Sequence, residues 1–401
     1  MYYSNPMSNT TNINDHQQSL PEPSADALTH SQKLVERIRD EIIAKGGSIT
    51  FRRYMEMALY EPSLGYYVAG THKIGEQGDF ITAPEVSPLF SHCIAQQCKE
   101  VLSETQGDLL ELGAGTGIMA TDILLSLEDD DCLPQHYYIL DLSPDLKQRQ
   151  KETIEARAPH LLKHVTWLSQ LPESFNGIIL GNEVLDAMPI DVFTQQNNDV
   201  FKHHVIWDDG KLCEQLQKAD DDFSKIVLAL NIPTEATPYT SEINPNLSGW
   251  FDSISQCLEK GVILLADYGY PRKEYYFHER NKGTLICHYQ HLVNEAPLHH
   301  VGLQDITASV DFTAVAEAAD SADLTVAGFT SQATFLSNSG LESVFMKALN
   351  NTPDDQYALA QQVRTLSLPA EMGERFKFIA LSKKYEKPLS GFSTLDQRIR
   401  L

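Results

Sequence analysis

Residues 108–117, Asp-Leu-Leu-Glu-Leu-Gly-Ala-Gly-Thr-Gly, constrain this chain more than any other stretch. A short apolar run closes on an acid, three glycines follow at alternate positions, and an amphipathic helical pattern begins at Ile118. That order predicts a buried strand, a tight turn and a helix N-terminus, the place where an open α/β sheet holds a nucleotide-like ligand. Gly113, Gly115 and Gly117 permit positive φ and let ligand atoms approach the backbone without meeting a Cβ. The helix beyond them offers unpaired N–H groups and a partial positive charge.

Spacing narrows the ligand. A dinucleotide fingerprint runs G-x-G-x-x-G, and here the third glycine comes one position early, with Glu111 in front of the turn. A pyrophosphate gains nothing from a leading carboxylate. S-adenosylmethionine carries an ammonium, a sulfonium and a carboxylate in place of phosphates, so an acid before a glycine turn suits it. A second strand, 137–141, ends in Asp141 and is followed by Leu142. An acid at that point is where ribose hydroxyls are held. Taken alone, Asp141 fits a nicotinamide cofactor equally well, and a glycine turn with a helix-capping Asp and no ligand is the plain structural alternative.

The rest of the chain alternates helix and strand. Residues 1–30 are polar and read as a disordered tail, and residues 31–105 as a helical N-terminal segment with a turn-rich loop at 75–85. Residues 106–385 carry a βα alternation that predicts a seven-stranded, mainly parallel Rossmann-like sheet covered on both faces. A β-rich insertion at 190–245 and an irregular one at 268–310 interrupt it, and residues 386–401 read as a C-terminal tail. The first 30 residues lack Arg and any apolar core of a signal, which points to a cytoplasmic protein. No apolar run approaches the roughly 20 residues of a membrane-spanning helix.

A net charge of −24 argues against a nucleic-acid partner, because phosphate binding needs a basic footprint. The same field favours a cationic substrate. Six scattered cysteines form no C-x-x-C pair and read as reduced thiols, and the fourteen histidines come with no matching acids or thiols at zinc spacing, so no metal is expected.

Ligands on such sheets sit at the carboxyl ends of the strands. That rule selects Glu111, Asp141, the Asn182–Ala187 stretch and Asp267. Asn182 is expected to cap a short helix and contribute to the cofactor site, with Glu183 and Asp186 as candidate catalytic acids. The loop 78–85 is expected to act as a lid that adds Asp79, Thr82 and Glu85. Methyl transfer from a sulfonium needs an aligned nucleophile more than acid–base machinery. A guanidinium acceptor would need carboxylates to orient it, because it stays charged at any ordinary pH.

Several segments together resemble the MidA-like family: 78–88 (GDFITAPEVSP), 111–117, 138–144 (YILDLSP), 182–189 (NEVLDAMP), 267–271 (DYGYP), 302–307 (GLQDIT) and 371–377 (EMGERFK). The resemblance runs from about Ile38 to Lys383. It departs from the family pattern at Ala296, Val301 and Ser309, all in the second insertion. The family comprises class I S-adenosylmethionine-dependent methyltransferases related to the mitochondrial arginine methyltransferase that assists respiratory complex I assembly. The resemblance implies a methyl donor held along Glu111–Gly117 and Asp141, a protein arginine as acceptor, and a respiratory-complex subunit as partner. An assembly factor that uses the fold to bind with little turnover, a small-molecule methyltransferase and a nicotinamide oxidoreductase are the other readings.

Overall fold

The computed structural model describes residues 20–69, 81–232 and 238–401. The first helix, Ala25–Ala44, starts six residues earlier than the expected Ser31, because the Ser24 side chain accepts from the Ala27 N–H and caps it. Residues 25–30 are therefore helix and not tail. A three-residue strand, Ser48–Thr50, leads into helix Phe51–Tyr60, capped by the Thr50 hydroxyl. Helix Pro88–Thr105, capped by Ser87, then delivers the chain to the central sheet.

Seven strands form the path of that sheet: β1 (Asp108–Leu112), β2 (Tyr137–Leu140), β3 (Val165–Leu168), β4 (Phe175–Asn182), β5 (Leu258–Tyr270), β6 (Thr325–Ser331) and β7 (Phe376–Lys383). Their order is β6-β7-β5-β4-β1-β2-β3, and the pair Val310–Asp311 adds an eighth, short strand beside the end of β5. The sheet is mixed, with one strand reversed in an otherwise parallel path. β5, β4, β1, β2 and β3 run parallel, while β7 is antiparallel to both β5 and β6. Three helices, Gln332–Asn338, Leu341–Asn351 and Gln356–Ser367, intervene between β6 and β7 and return the chain in the opposite direction. β1 pairs with β2 on one side and β4 on the other, so the strand order reverses there and a crevice opens at the carboxyl ends.

Alternation along each strand builds a core on both faces. Leu109, Ile178, Leu264 and Phe378 face the layer of helices Pro88–Thr105 and Ile118–Asp129. Their neighbours Leu110, Ile179, Ile263 and Ile379 face helices Leu247–Cys257 and Phe312–Ser321.

The first insertion is β-rich, as read from the sequence. Strands Asp191–Gln196, Asp199–Asp208, Lys211–Lys218 and Tyr239–Ile243 join Ser48–Thr50 in an antiparallel five-stranded sheet. The second insertion is more regular than expected, with three short paired strands, Ile286–Tyr289, Leu292–Asn294 and Asp305–Thr307. Both insertions share one hydrophobic cluster with the N-terminal helices, in which Leu34, Phe51, Tyr54, Tyr66, Val205 and Ile306 meet. Residues 386–401 are packed and are not a loose tail: Leu389 and Phe392 are buried, and the Gln397 N–H donates to the Phe329 carbonyl at 2.7 Å. No described helix is long and apolar enough to cross a membrane. All six cysteines are free thiols, and among the described residues no group of His, Cys, Asp or Glu is placed to hold a metal ion.

Candidate active site

A cavity of about 350 Å³ lies at the carboxyl ends of β1, β2 and β4. The glycine turn after β1 forms its floor. Gly113, Gly115 and Gly117 all have positive φ (66°, 52° and 83°), a region that side chains with a Cβ rarely enter. Gly113 and Gly115 line the cavity and Gly117 does not. Gly117 serves packing instead, since a Cβ built there would stand 2.8 Å from the Cα of Gln150 on helix Pro144–Arg157.

Glu111 is buried at the end of β1, where the Tyr137 hydroxyl donates to its Oε2 at 2.7 Å. Burial pushes its carboxyl up to about 7, against the partial relief of that hydrogen bond. Asp141, just past β2, is also buried and raised by burial, and it is held on both oxygens. The Ser143 N–H donates to Oδ1 at 2.9 Å and the Gln150 amide donates to Oδ2 at 2.8 Å. Beside it Leu142 is 70% exposed, a bare apolar side chain on the cavity wall.

The stretch after β4 differs from its expected form. Asn182 is the last residue of the strand and caps no helix, and Glu183 follows with φ 53°, its N–H donating to the Ala266 carbonyl at 2.9 Å. This left-handed step turns the chain sharply and presents Asn182, Glu183 and Asp186 to one cavity. The Asn182 amide donates to Glu183 Oε1 at 3.0 Å. Burial raises the Glu183 carboxyl to about 8, with the charge of Asp186 as the second cause, while the Ala83 N–H favours its charged form. Burial likewise lifts Asp186 to about 6. Asn182 Oδ1 is buried with no hydrogen-bond partner among the described residues, while the buried Tyr268 hydroxyl stands beside the Asp186 carboxyl. An orphaned acceptor like the Asn182 oxygen is costly unless a ligand supplies a donor.

Asp267 was expected in the cavity and lies behind it. Its Oδ2 accepts from the N–H groups of Leu185 (2.9 Å) and Asp186 (3.3 Å), so it anchors the turn that aims the two acids. Burial, then the charges of Asp186 and Glu183, hold its carboxyl well above the usual carboxylate range.

Of the expected lid residues, Thr82 and Glu85 line the cavity, and Asp79 lies outside the described residues. The Thr116 hydroxyl donates to Glu85 Oε1 at 2.5 Å, which ties the short helix Ala83–Val86 to the glycine turn.

Lining residues that were not identified from sequence include Tyr60, Tyr67, Trp250 and Asp305. The Tyr60 and Tyr67 rings stack 5.5 Å apart. The Tyr60 hydroxyl donates to the Ala187 carbonyl and the Tyr67 hydroxyl to Asp305 Oδ1, each at 2.9 Å. Asp305 belongs to the 302–307 segment that the resemblance had singled out without a role. The described lining thus carries six carboxylates (Glu85, Glu111, Asp141, Glu183, Asp186, Asp305) and no basic side chain.

A model of a family of S-adenosyl-L-methionine-dependent methyltransferases matches residues 92–330. Among curated relatives, the human mitochondrial protein arginine methyltransferase NDUFAF7 is 28% identical, the alignment covering 88% of this chain and 88% of that one. Its Drosophila melanogaster homolog is 27% identical over 93% of this chain and 91% of its own. A crystal structure of a Burkholderia thailandensis protein bound to S-adenosyl-homocysteine, described as a likely methyl transferase, superposes with a TM-score of 0.91 at 38% identity, covering 96% of this chain and all of that one.

Proposed function

The chain belongs to this family of S-adenosyl-L-methionine-dependent methyltransferases, and from that premise we propose that its acceptor is the guanidinium of an arginine on a partner protein. The observation that carries the proposal is the lining itself, six carboxylates with no basic side chain to balance them among the described residues. Such a site favours a cation, and a guanidinium remains a cation at neutral pH and offers only hydrogen-bond donors. Two curated relatives that align over most of this chain are named protein arginine methyltransferases.

The lining fits the donor as well. Asp141 accepts the Ser143 N–H on one oxygen and the Gln150 amide on the other, and its remaining lone pairs suit the hydroxyls of a ribose. Exposed Leu142 offers an apolar face for a base. Gly113 and Gly115 admit close approach, and Glu111 and the Asn182 side chain face the same space. Bound S-adenosylmethionine supplies an electrophilic methyl group on a sulfonium. Thr82 and Glu85 are proposed to cover that end of the cavity, and Gly117 supports it from behind.

Glu183 and Asp186 are the proposed catalytic residues. They orient the guanidinium by hydrogen bonds and carry its charge, so that a nitrogen is held in line with the methyl group. The N–C bond forms as the S–CH₃ bond breaks, S-adenosylhomocysteine leaves, and the N–H proton passes to the ionised Glu183, while positioning supplies most of the rate. Asp267 acts through them by fixing the turn. Asp305 and Tyr67 complete the acceptor wall.

The test incubates the protein with labelled S-adenosylmethionine and cell extract and maps modified residues by mass spectrometry. Label on arginine supports the proposal. Label confined to small molecules, or to lysine or carboxylate side chains, refutes the acceptor. A respiratory-complex subunit is the first partner to try, following the family resemblance. The cytoplasm is the proposed site of action; fractionation decides it, since the curated relatives are named as mitochondrial.

A further inference from the structure

We propose that Gln150 is a positioning residue of the donor site, whose amide sets the Asp141 carboxylate against the glycine turn so that donor affinity depends on it. Gln150 is fully buried and does not line the cavity. Its Nε2 donates to Asp141 Oδ2 at 2.8 Å and to the Gly115 carbonyl at 3.1 Å. Its Oε1 accepts from the Trp167 indole N–H at 2.9 Å. One amide therefore joins the two structural pieces that meet the donor, the acid after β2 and the turn after β1, and braces both on β3.

The three bonds allow only one orientation of the amide. Turned over, its oxygen would face a carboxylate and a carbonyl, and its NH₂ would face an indole N–H. The indole thus fixes which end of the amide points at Asp141. The terminal torsion of an aspartate is otherwise soft. With the Ser143 N–H on one oxygen and the Gln150 amide on the other, the carboxylate plane is pinned at two points and its remaining lone pairs keep a fixed direction for a ribose hydroxyl. The close approach is built into the turn, because Gly117 has no Cβ to hold the Gln150 backbone away. Thr153, one turn further along the same helix, donates to the Thr116 carbonyl at 2.7 Å, so the helix grips the turn at two places.

The proposal rests on the assignment of Asp141 to the donor, so the experiment separates the two. Full-length wild type, Asp141→Ala, Gln150→Met and Gln150→Glu are titrated with S-adenosylhomocysteine by calorimetry from pH 6 to pH 8, and their Tm is measured without ligand. Gln150→Met keeps the volume and removes every hydrogen bond. It should raise the dissociation constant about 10- to 100-fold, the usual effect of losing bonds that orient a charged group. Gln150→Glu places a second carboxyl against Asp141, and the pair must share a proton. Its affinity should fall at pH 8 and recover toward pH 6 more steeply than wild type. Unchanged affinity in a folded Gln150→Met variant, with or without a lower Tm, overturns the proposal. If that variant does not fold, a pH dependence of Gln150→Glu parallel to wild type overturns it. Wild-type affinity in Asp141→Ala defeats the donor assignment itself.

Discussion

Glu183→Gln tests the acceptor site through a charge that the fold resists. Glu183 sits beside Asp186 in a wall of carboxylates, and its carboxyl is raised from an ordinary 4.5 to about 8. At pH 7 most molecules therefore hold it as the neutral acid when no acceptor is bound. The displacement, at about 1.4 kcal/mol per unit, amounts to a few kcal/mol of unfavourable ionisation in the folded state. A folded pKa above the unfolded one gives stability that is complete below about 4.5 and is lost as pH rises through about 8. Glutamine keeps the shape of the neutral acid and does not ionise. The variant should thus be more stable than wild type at pH 8, by up to about 4 kcal/mol, seen as a higher unfolding temperature, and should match it near pH 4. Activity should move the other way. A guanidinium binds the ionised acid, so wild-type kcat/KM for an arginine peptide should climb with pH toward about 8. The variant should lose that limb and about 10²-fold in rate, with donor affinity unchanged by calorimetry. Scanning calorimetry and a pH–rate series are sufficient. A variant less stable than wild type at pH 8, or one that keeps both the rate and the rising limb, refutes the reasoning.

Gly115→Val places a β-branched residue at φ 52° and a side chain on the cavity floor. Donor binding should be lost while circular dichroism stays native, and retained affinity would remove the turn from the site. Asp267→Ala strips the acceptor from the Leu185 and Asp186 N–H groups; denaturant unfolding should show a loss of about 1–3 kcal/mol for each orphaned group, with turnover falling more than donor affinity. Trimming the hairpin turn Asp208–Gly210, in the sheet built on Ser48–Thr50, should leave donor affinity intact and reduce transfer to a protein acceptor, and loss of donor binding in a folded variant would contradict that division.

The residues proposed for the donor were legible as cavity-lining positions because they obey a local rule. Glu111, the glycine turn, Asp141 and Asn182 all stand at or just beyond strand ends, and strand ends show in hydrophobic periodicity. Glu183 and Asp186 followed from the same rule, although the helix expected there is a left-handed turn. Asp267 obeyed it too and still lies behind the cavity, since one step along a strand decides which side a residue faces. Tyr60, Tyr67 and Asp305 obey no such rule. They reach the cavity from the N-terminal segment and the second insertion, and only the tertiary packing of that shared cluster brings them together. Gln150 was hidden for another reason: a polar residue on a mostly solvated helix carries no mark that its side chain points inward. The mixed character of the sheet was equally hidden, because periodicity reports a strand and not its direction.

The division of the cavity between neighbours in sequence and strangers in sequence also orders its assembly. The proposed donor wall draws on residues 111–146 and 182–187, whose strands pair in a contiguous block, so its contacts span shorter stretches of chain than those of the other wall. The aromatic and acidic wall needs Tyr60 and Tyr67 to meet Asp305, across more than half the chain. During synthesis, which proceeds from the N-terminus, the 182–187 turn is fixed only when Ala266 and Asp267 have followed, and Asp305 comes later still. Of the two proposed walls, the one that would select an acceptor is therefore the later to close, because Tyr67 waits for Asp305 after Asp267 has already set the turn.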